Sequence, residues 1–170
     1  MRLSETMERA FNEQLTREVN AAYVYFAMAG WLEAEGFPGA AHWMALQSEE
    51  EWSHARRIQR HLLDRGGRPR PGPIPAPDAA YDSILGVFTA AYAHEQAVSR
   101  AIRDLYGQAL EEADFSALPL LGWFVEEQVE EEATVAQIVE DLGRAGNDPR
   151  ALLLIDRELG SRAPGGEPSA

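Results

Sequence analysis

The chain contains no cysteine and no lysine among its 170 residues. The first absence excludes disulfides and thiolate chemistry, and fits a cytoplasmic setting. The second leaves 15 arginines against 28 Asp plus Glu, for a formal charge of −13. A chain that acidic makes nucleic acid and anionic membrane unsuitable partners. No apolar run reaches the ~18 residues needed for a transmembrane helix. The opening Met1-Arg2-Leu3-Ser4-Glu5 lacks the basic-then-apolar pattern of a secretion signal. Basic residues are also missing between Arg103 and Arg144, a window holding Asp104, Glu111, Glu112, Asp114, Glu126, Glu127, Glu130, Glu131, Glu132, Glu140 and Asp141. Such a stretch is either a solvated helix face or a surface that attracts cations.

What is present reads as one α-helical domain over residues 1–160, with a flexible Gly/Pro-rich tail at 161–170. Ser4 caps a first helix to about Ala34, closed by Gly36-Phe37-Pro38, and a second runs from Gly39 to about Arg65. Asp82 opens a third to about Ala113, and Ser116 a fourth to about Arg144. Asn147-Asp148-Pro149 starts a short fifth helix to Leu159. Between the second and third helices, Pro69, Pro71, Pro73, Pro75 and Pro77 alternate, which forces extended backbone. At ~3.1 Å per residue, residues 66–81 span roughly 50 Å, more than the roughly 40 Å of a 27-residue helix. The linker can therefore return the chain along the whole bundle. The predicted fold is all-α, a four-helix bundle with one long crossover and a short fifth C-terminal helix.

Each long helix carries an apolar seam at steps of four and three. The seams run Phe11, Leu15, Glu18, Ala22, Tyr25, Ala29, Leu32; Met44, Gln47, Glu51, His54, Ile58, His61; Ile84, Phe88, Ala91, Glu95, Val98, Ile102, Leu105; and Leu121, Phe124, Gln128, Glu131, Val135, Ile138, Leu142. Every seam thus contains one carboxylate, Glu18, Glu51, Glu95 or Glu131, near mid-helix. Mid-helix residues share a height whichever way a helix points, so the four converge on one slice of the core. Four buried carboxylates repel and are each costly to desolvate. Protonation relieves this in part, whereas two divalent cations cancel the charge. His54 follows Glu51 at i+3 on the same face, a metal-ligand spacing repeated by Gln128 and Glu131. Oxygen and nitrogen donors without sulfur favour Fe, Mn or Zn, and a carboxylate-rich pair with one histidine suits Fe(II) oxidation. Tyr25 lies two turns past Glu18, placed either as a core aromatic or as a donor to the site. His61 reads as an end-of-bundle or surface residue, while Trp31, Trp43, Trp52 and Trp123 read as core or interface packing.

At these residues the chain resembles the prokaryotic non-haem ferritins. The resemblance lies in Asn12-Glu13-Gln14-Leu15 with Glu18 and Tyr25, Glu50-Glu51-Trp52-Ser53-His54, His94-Glu95-Gln96, and Trp123-Phe124-Val125-Glu126-Glu127-Gln128-Val129-Glu130-Glu131-Glu132, and extends to about Leu159. It implies a ferritin-like bundle assembled as a homo-oligomer of 24 chains. The implied activity is ferroxidase: Fe(II) is oxidised by O2 or H2O2 and stored as ferric oxyhydroxide mineral. By position, Glu18, Glu51 and His54 resemble the first iron site, with Glu51 bridging, and Glu95 and Glu131 the second. Gln128 matches the glutamine that contacts the oxygen species, and Tyr25 the site tyrosine. Glu50, Glu127 and Glu130, with Glu131, resemble a third iron site, although Glu127 and Glu130 also fit a solvated face.

Two departures separate the chain from bacterioferritin. It has Gln128-x-x-Glu131 where that class repeats Glu-x-x-His, and Trp52 where it places its haem-ligating methionine, so haem is not expected. A complete ligand set within one chain, together with the charge of −13, argues against the DNA-binding mini-ferritins. A non-cage di-iron or di-manganese enzyme would use the same pocket, and a purely structural bundle would bind no stoichiometric metal. Native mass and metal count discriminate among these readings.

Overall fold

Serine and aspartate hydroxyls and carboxylates open three of the helices by taking up amides that have no intrahelical acceptor. A computed structural model describes residues 2–78 and 80–164 and places five helices, with no strand, among them. Ser4 accepts from the Met7 amide at 3.1 Å to start α1 (Glu5–Ala34). Helix α2 (Pro38–Asp64) begins instead with proline in its first turn. Helix α3 (Ile84–Glu111) is capped by Ser83, whose hydroxyl accepts from Gly86 at 3.0 Å, so the cap lies one residue beyond the expected Asp82. Helix α4 (Leu118–Ala145) also starts later than Ser116, after a turn in which the Ala117 amide bonds to the Asp114 carbonyl. Asp148 caps α5 (Pro149–Leu159) through the Arg150 amide at 2.9 Å.

Helix α1 packs chiefly on α2 and α3 chiefly on α4, and contacts between α1 and α3 join the pairs. The proline-rich crossover is fastened to α1. Glu8 Oε1 accepts from the Arg68 amide at 3.1 Å, Asn12 Nδ2 donates to the Arg68 carbonyl at 3.0 Å, and Thr16 Oγ1 accepts from the Gly72 amide at 2.9 Å. Asn12 Oδ1 also accepts from the Arg70 amide. Residues 8, 12 and 16 repeat at one helical turn, so one stripe of α1 serves amides that proline-interrupted backbone cannot satisfy internally.

All the seam residues are buried except Ala29, His61 and Ile138, which are half-buried. The apolar ones form two separate cores. One contains Tyr25, Met28, Leu32, Trp43, Met44, Phe88, Val135 and Leu142. The other contains Met7, Phe11, Leu15, Ile58, Leu62, Val98, Ile102, Leu105, Leu121 and Phe124. Between them lies a slice of buried polar side chains: Gln14, Glu18, Gln47, Ser48, Glu51, His54, Glu95, Ser99, Gln128 and Glu131. His61 packs at a tilt against Phe11 with ring centroids 4.6 Å apart, at one end of the second core. Of the tryptophans, Trp43 packs in the first core, but Trp52 is exposed on the surface.

The C-terminal segment packs against its own bundle, and the start of the expected flexible tail is ordered. Helix α5 docks on α2 and α4, burying Asp156 and Leu159 and leaving Leu153 and Leu154 exposed. Its apolar surface is therefore shared between its own bundle and solvent. Ser161 and Arg162, expected to fray, are held by hydrogen bonds; the rest of the expected tail, 165–170, lies outside the described residues.

Candidate metal centre

Glu18 of α1 and Glu51 and His54 of α2 are all buried, and their ligand atoms lie within 4.8 Å of one another. The i, i+3 spacing aims Glu51 and His54 the same way, and the dense α1–α2 contact brings Glu18 to them. His54 Nδ1 is 3.4 Å from Glu51 Oε2 and 3.7 Å from Glu18 Oε2. These are ion-pair contacts without hydrogen-bond geometry, so the nitrogen, Glu18 Oε2 and both Glu51 oxygens are buried with no hydrogen-bond partner. Unpartnered buried polar atoms are costly, and four converging in one place need a cation or protons. The other Glu18 oxygen accepts from Gln14 Nε2 at 2.6 Å.

Glu95 and Glu131 share the slice but stand outside that group, each held by another side chain. The Tyr25 hydroxyl donates to Glu95 Oε1. Gln128 Nε2 donates to Glu95 Oε2 at 3.0 Å and lies 3.3 Å from Ser99 Oγ. Gln47 Nε2 donates to Glu131 Oε2 at 2.7 Å. Burial, reinforced by Glu95 and Glu50 against the opposing pull of His54 and Gln47, lifts the Glu131 carboxyl to about 8. Burial also lifts Glu51 well above the carboxylate range, despite His54. For His54, burial alone would favour the neutral ring, but Glu18 and Glu51 outweigh it and hold the imidazolium up to about 11. Burial, with Glu95 and Glu51 nearby, raises the Tyr25 phenol.

Glu50 is half-buried at the rim, Glu127 is half-buried and Glu130 is exposed. Partial burial raises the Glu127 carboxyl, with Glu130 and Glu50 adding repulsion against the opposing His54 and Arg57. Glu50 does not stand free, because Arg162 Nη2 donates to its Oε2 at 2.6 Å.

Several neighbours carry no role in the sequence reading. Gln14 sits one helical turn before Glu18 and Ser99 one turn after Glu95, an i, i+4 relation that points to both. Gln47 stands on the α2 seam, where a buried amide needs partners. Trp123, read as packing, meets His54 edge-on at 5.4 Å and carries the Arg57 guanidinium 4.2 Å above its ring. His94 meets Tyr25 edge-on at 6.0 Å.

The helix order and the polar slice define a ferritin-like bundle, and the ferritin-like domain family model matches residues 8–145. The chain belongs to the ferritin-like family. It is 36% identical over 160 residues to a bacterial non-heme ferritin of Staphylococcus aureus, covering 94% of this chain and 96% of that protein. It is 35% identical over 159 residues, with the same coverages, to a probable bacterial non-heme ferritin-like protein of Haemophilus influenzae. Among solved structures, an open-pore ferritin from Archaeoglobus fulgidus superposes with a TM-score of 0.94 at 39% identity, covering 96% of this chain and 100% of that one. A humanized archaeal ferritin gives 0.95 at 40% identity, covering 96% and 99%.

Proposed function

We propose that the protein is a cytoplasmic iron-storage ferritin whose polar slice oxidises Fe(II). The observation that carries the reading is the buried Glu18–Glu51–His54 group, whose ligand atoms lie within 4.8 Å of one another and which includes four buried atoms with no hydrogen-bond partner. Iron is the substrate and cargo here. Glu18, Glu51 and His54 hold one Fe(II), Glu95 and Glu131 a second, and Glu51 reaches both. Carboxylates bind Fe(III) more strongly than Fe(II), so this donor set favours the oxidised product. Each Fe(II) gives up one electron. Two electrons and two protons convert O2 to H2O2, and two more of each convert H2O2 to water.

Gln128 and Tyr25 both hydrogen-bond to Glu95, which fits them to orient that ligand and, for Tyr25, to donate toward bound oxidant. Glu50, Glu127, Glu130 and Glu131 supply a third position at the rim. The similarity to ferritins along almost the whole chain supports assembly into a 24-chain shell around ferric mineral. The exposed Leu153 and Leu154 of α5 are available to neighbouring chains in such a shell. Among the described residues no helix is long and apolar enough to cross a membrane.

The test pairs kinetics with mass. Wild-type protein should oxidise two Fe(II) per chain in a fast phase and sediment as a large shell. Glu51→Ala and His54→Ala should remove the fast phase while remaining helical. Wild-type kinetics in either variant would exclude the site, and a wild-type monomer or dimer would exclude the shell.

A further inference from the structure

The segment after α5 reaches back to the rim of the site along α2, and its position is fixed at several points. A Cβ on Gly39 would lie 1.7 Å from the Asp156 carbonyl oxygen, so α2 and α5 meet at a distance that only glycine permits. The buried Asp156 side chain accepts from the Ala40 amide at 2.9 Å, serving a first-turn donor of α2 that has no intrahelical acceptor. Two residues further along, His42 Nε2 is 3.0 Å from the Arg162 carbonyl. The Arg162 guanidinium lies 4.6 Å above the Trp43 ring. Its Nη1 donates to Gln47 Oε1 at 2.9 Å and its Nη2 to Glu50 Oε2 at 2.6 Å.

Two consequences follow. With its oxygen committed to Arg162, the Gln47 amide can present only its NH2 group inward, and that group donates to Glu131 at 2.7 Å. Second, Glu50 already has a cation. Only about a quarter of either side chain in the Arg162–Glu50 pair is exposed, so solvent screens it incompletely.

We propose that Arg162 is a positioning residue of the iron site that orients Gln47 toward Glu131 and occupies Glu50, so that a cation enters the third position only by displacing it. This inference rests on the dinuclear reading above. A tethered monocation resists displacement by other monocations and yields to multiply charged ones, because the attraction to Glu50 scales with charge. A groove of about 1080 Å³ opens beside Arg162 and is lined by Glu158, so a displaced guanidinium has a carboxylate to meet.

The experiment titrates full-length, metal-stripped protein with Zn(II), a redox-inert probe, by calorimetry at constant pH. Wild type, Arg162→Lys, Arg162→Gln, Glu50→Gln and the Arg162→Gln/Glu50→Gln double variant are compared. Wild type should show two tight sites per chain, and in Arg162→Gln the second of them should weaken as Gln47 loses its hold on Glu131. Arg162→Gln should strengthen the weakest binding event by about 5- to 10-fold, the size expected for removing a partly buried charged hydrogen bond. Arg162→Lys should restore most of the wild-type weakness, and the gain should vanish in the double variant. An unchanged weak event in Arg162→Gln, or no third event in any variant, overturns the role of Arg162 while leaving the dinuclear site standing. Absence of the two tight sites in wild type overturns the dinuclear reading, and the role of Arg162 with it.

Discussion

Replacing Glu131 with glutamine should stabilise the metal-free protein, and the gain should grow with pH. Glutamine has the same shape, and its oxygen can still accept from Gln47 Nε2, which lies 2.7 Å from Glu131 Oε2. What it removes is a carboxyl that burial, Glu95 and Glu50 lift from 4.5 to about 8. Below pH 4.5 the native and unfolded states both hold that proton, and its contribution to stability is fully present. As pH rises toward 8 the unfolded chain releases the proton while the native state keeps it, so stability falls by ~1.4 kcal/mol per pH unit. At pH 7.5 the accumulated loss is about 4 kcal/mol, and glutamine does not incur it. The assay is denaturant unfolding of chelator-treated wild type and Glu131→Gln at pH 4.5, 6 and 7.5, at equal protein concentration because assembly contributes to apparent stability. The two curves should nearly coincide at pH 4.5 and separate by 2–4 kcal/mol at pH 7.5. Saturating Zn(II) should reverse the order, since the variant lacks a ligand. A separation that is constant with pH would refute the account of the buried carboxyl.

Ala113 closes α3 with φ +51, where α1 and α2 are followed by Gly36 (φ +83) and Gly66 (φ +73); Ala113→Gly should raise stability by about 1 kcal/mol, read as a higher melting temperature. Zn(II) loading at pH 7 should release at least two protons per chain, from His54 and Glu131 with the raised Glu51 carboxyl adding to them, because a ligand must lose its proton and the first two hold theirs to about 11 and about 8. Heats measured in buffers of different ionisation enthalpy give the count, and zero release would contradict both assignments. Deleting residues 148–170 removes the Asp156 cap on α2 and the burial of Leu159. The remaining bundle should fold and bind metal, melt lower and assemble less stably by sedimentation.

The elements legible in the sequence are those written by a repeating signal. Steps of four and three along each helix locate the buried faces, and the proline alternation before Tyr81 announces a crossover long enough to span the bundle. Cap positions were less legible, because Asp82 and Ser83 are both good caps and only the tertiary course of the chain selects Ser83. The four seam carboxylates and His54 were visible because charge on an apolar stripe conflicts with the local pattern. Arg162 was not, since its importance depends on a contact 112 residues away in the chain. The docking of α5 was illegible for the same reason. Its only local traces are Gly39, which reads as an ordinary glycine after a helix-starting proline, and Asp156, which reads as solvated.

The division of the core explains how the bundle tolerates its polar slice. Each apolar half closes around side chains from all four long helices, so the helices are held in register above and below the carboxylates independently of what the carboxylates bind. Packed apolar surface supplies the stability on either side, and the slice itself contributes little or opposes folding until charge is neutralised. Within the slice, side-chain hydrogen bonds fix Glu95 through Tyr25 and Gln128, and Glu131 through Gln47, while Glu51 is left without a hydrogen bond. Glu51 is therefore the carboxylate most free to move as cations arrive, whereas the others are positioned in advance. That freedom suits the bridging role proposed for Glu51, because a bridging ligand would serve one cation before the second is present and both afterwards.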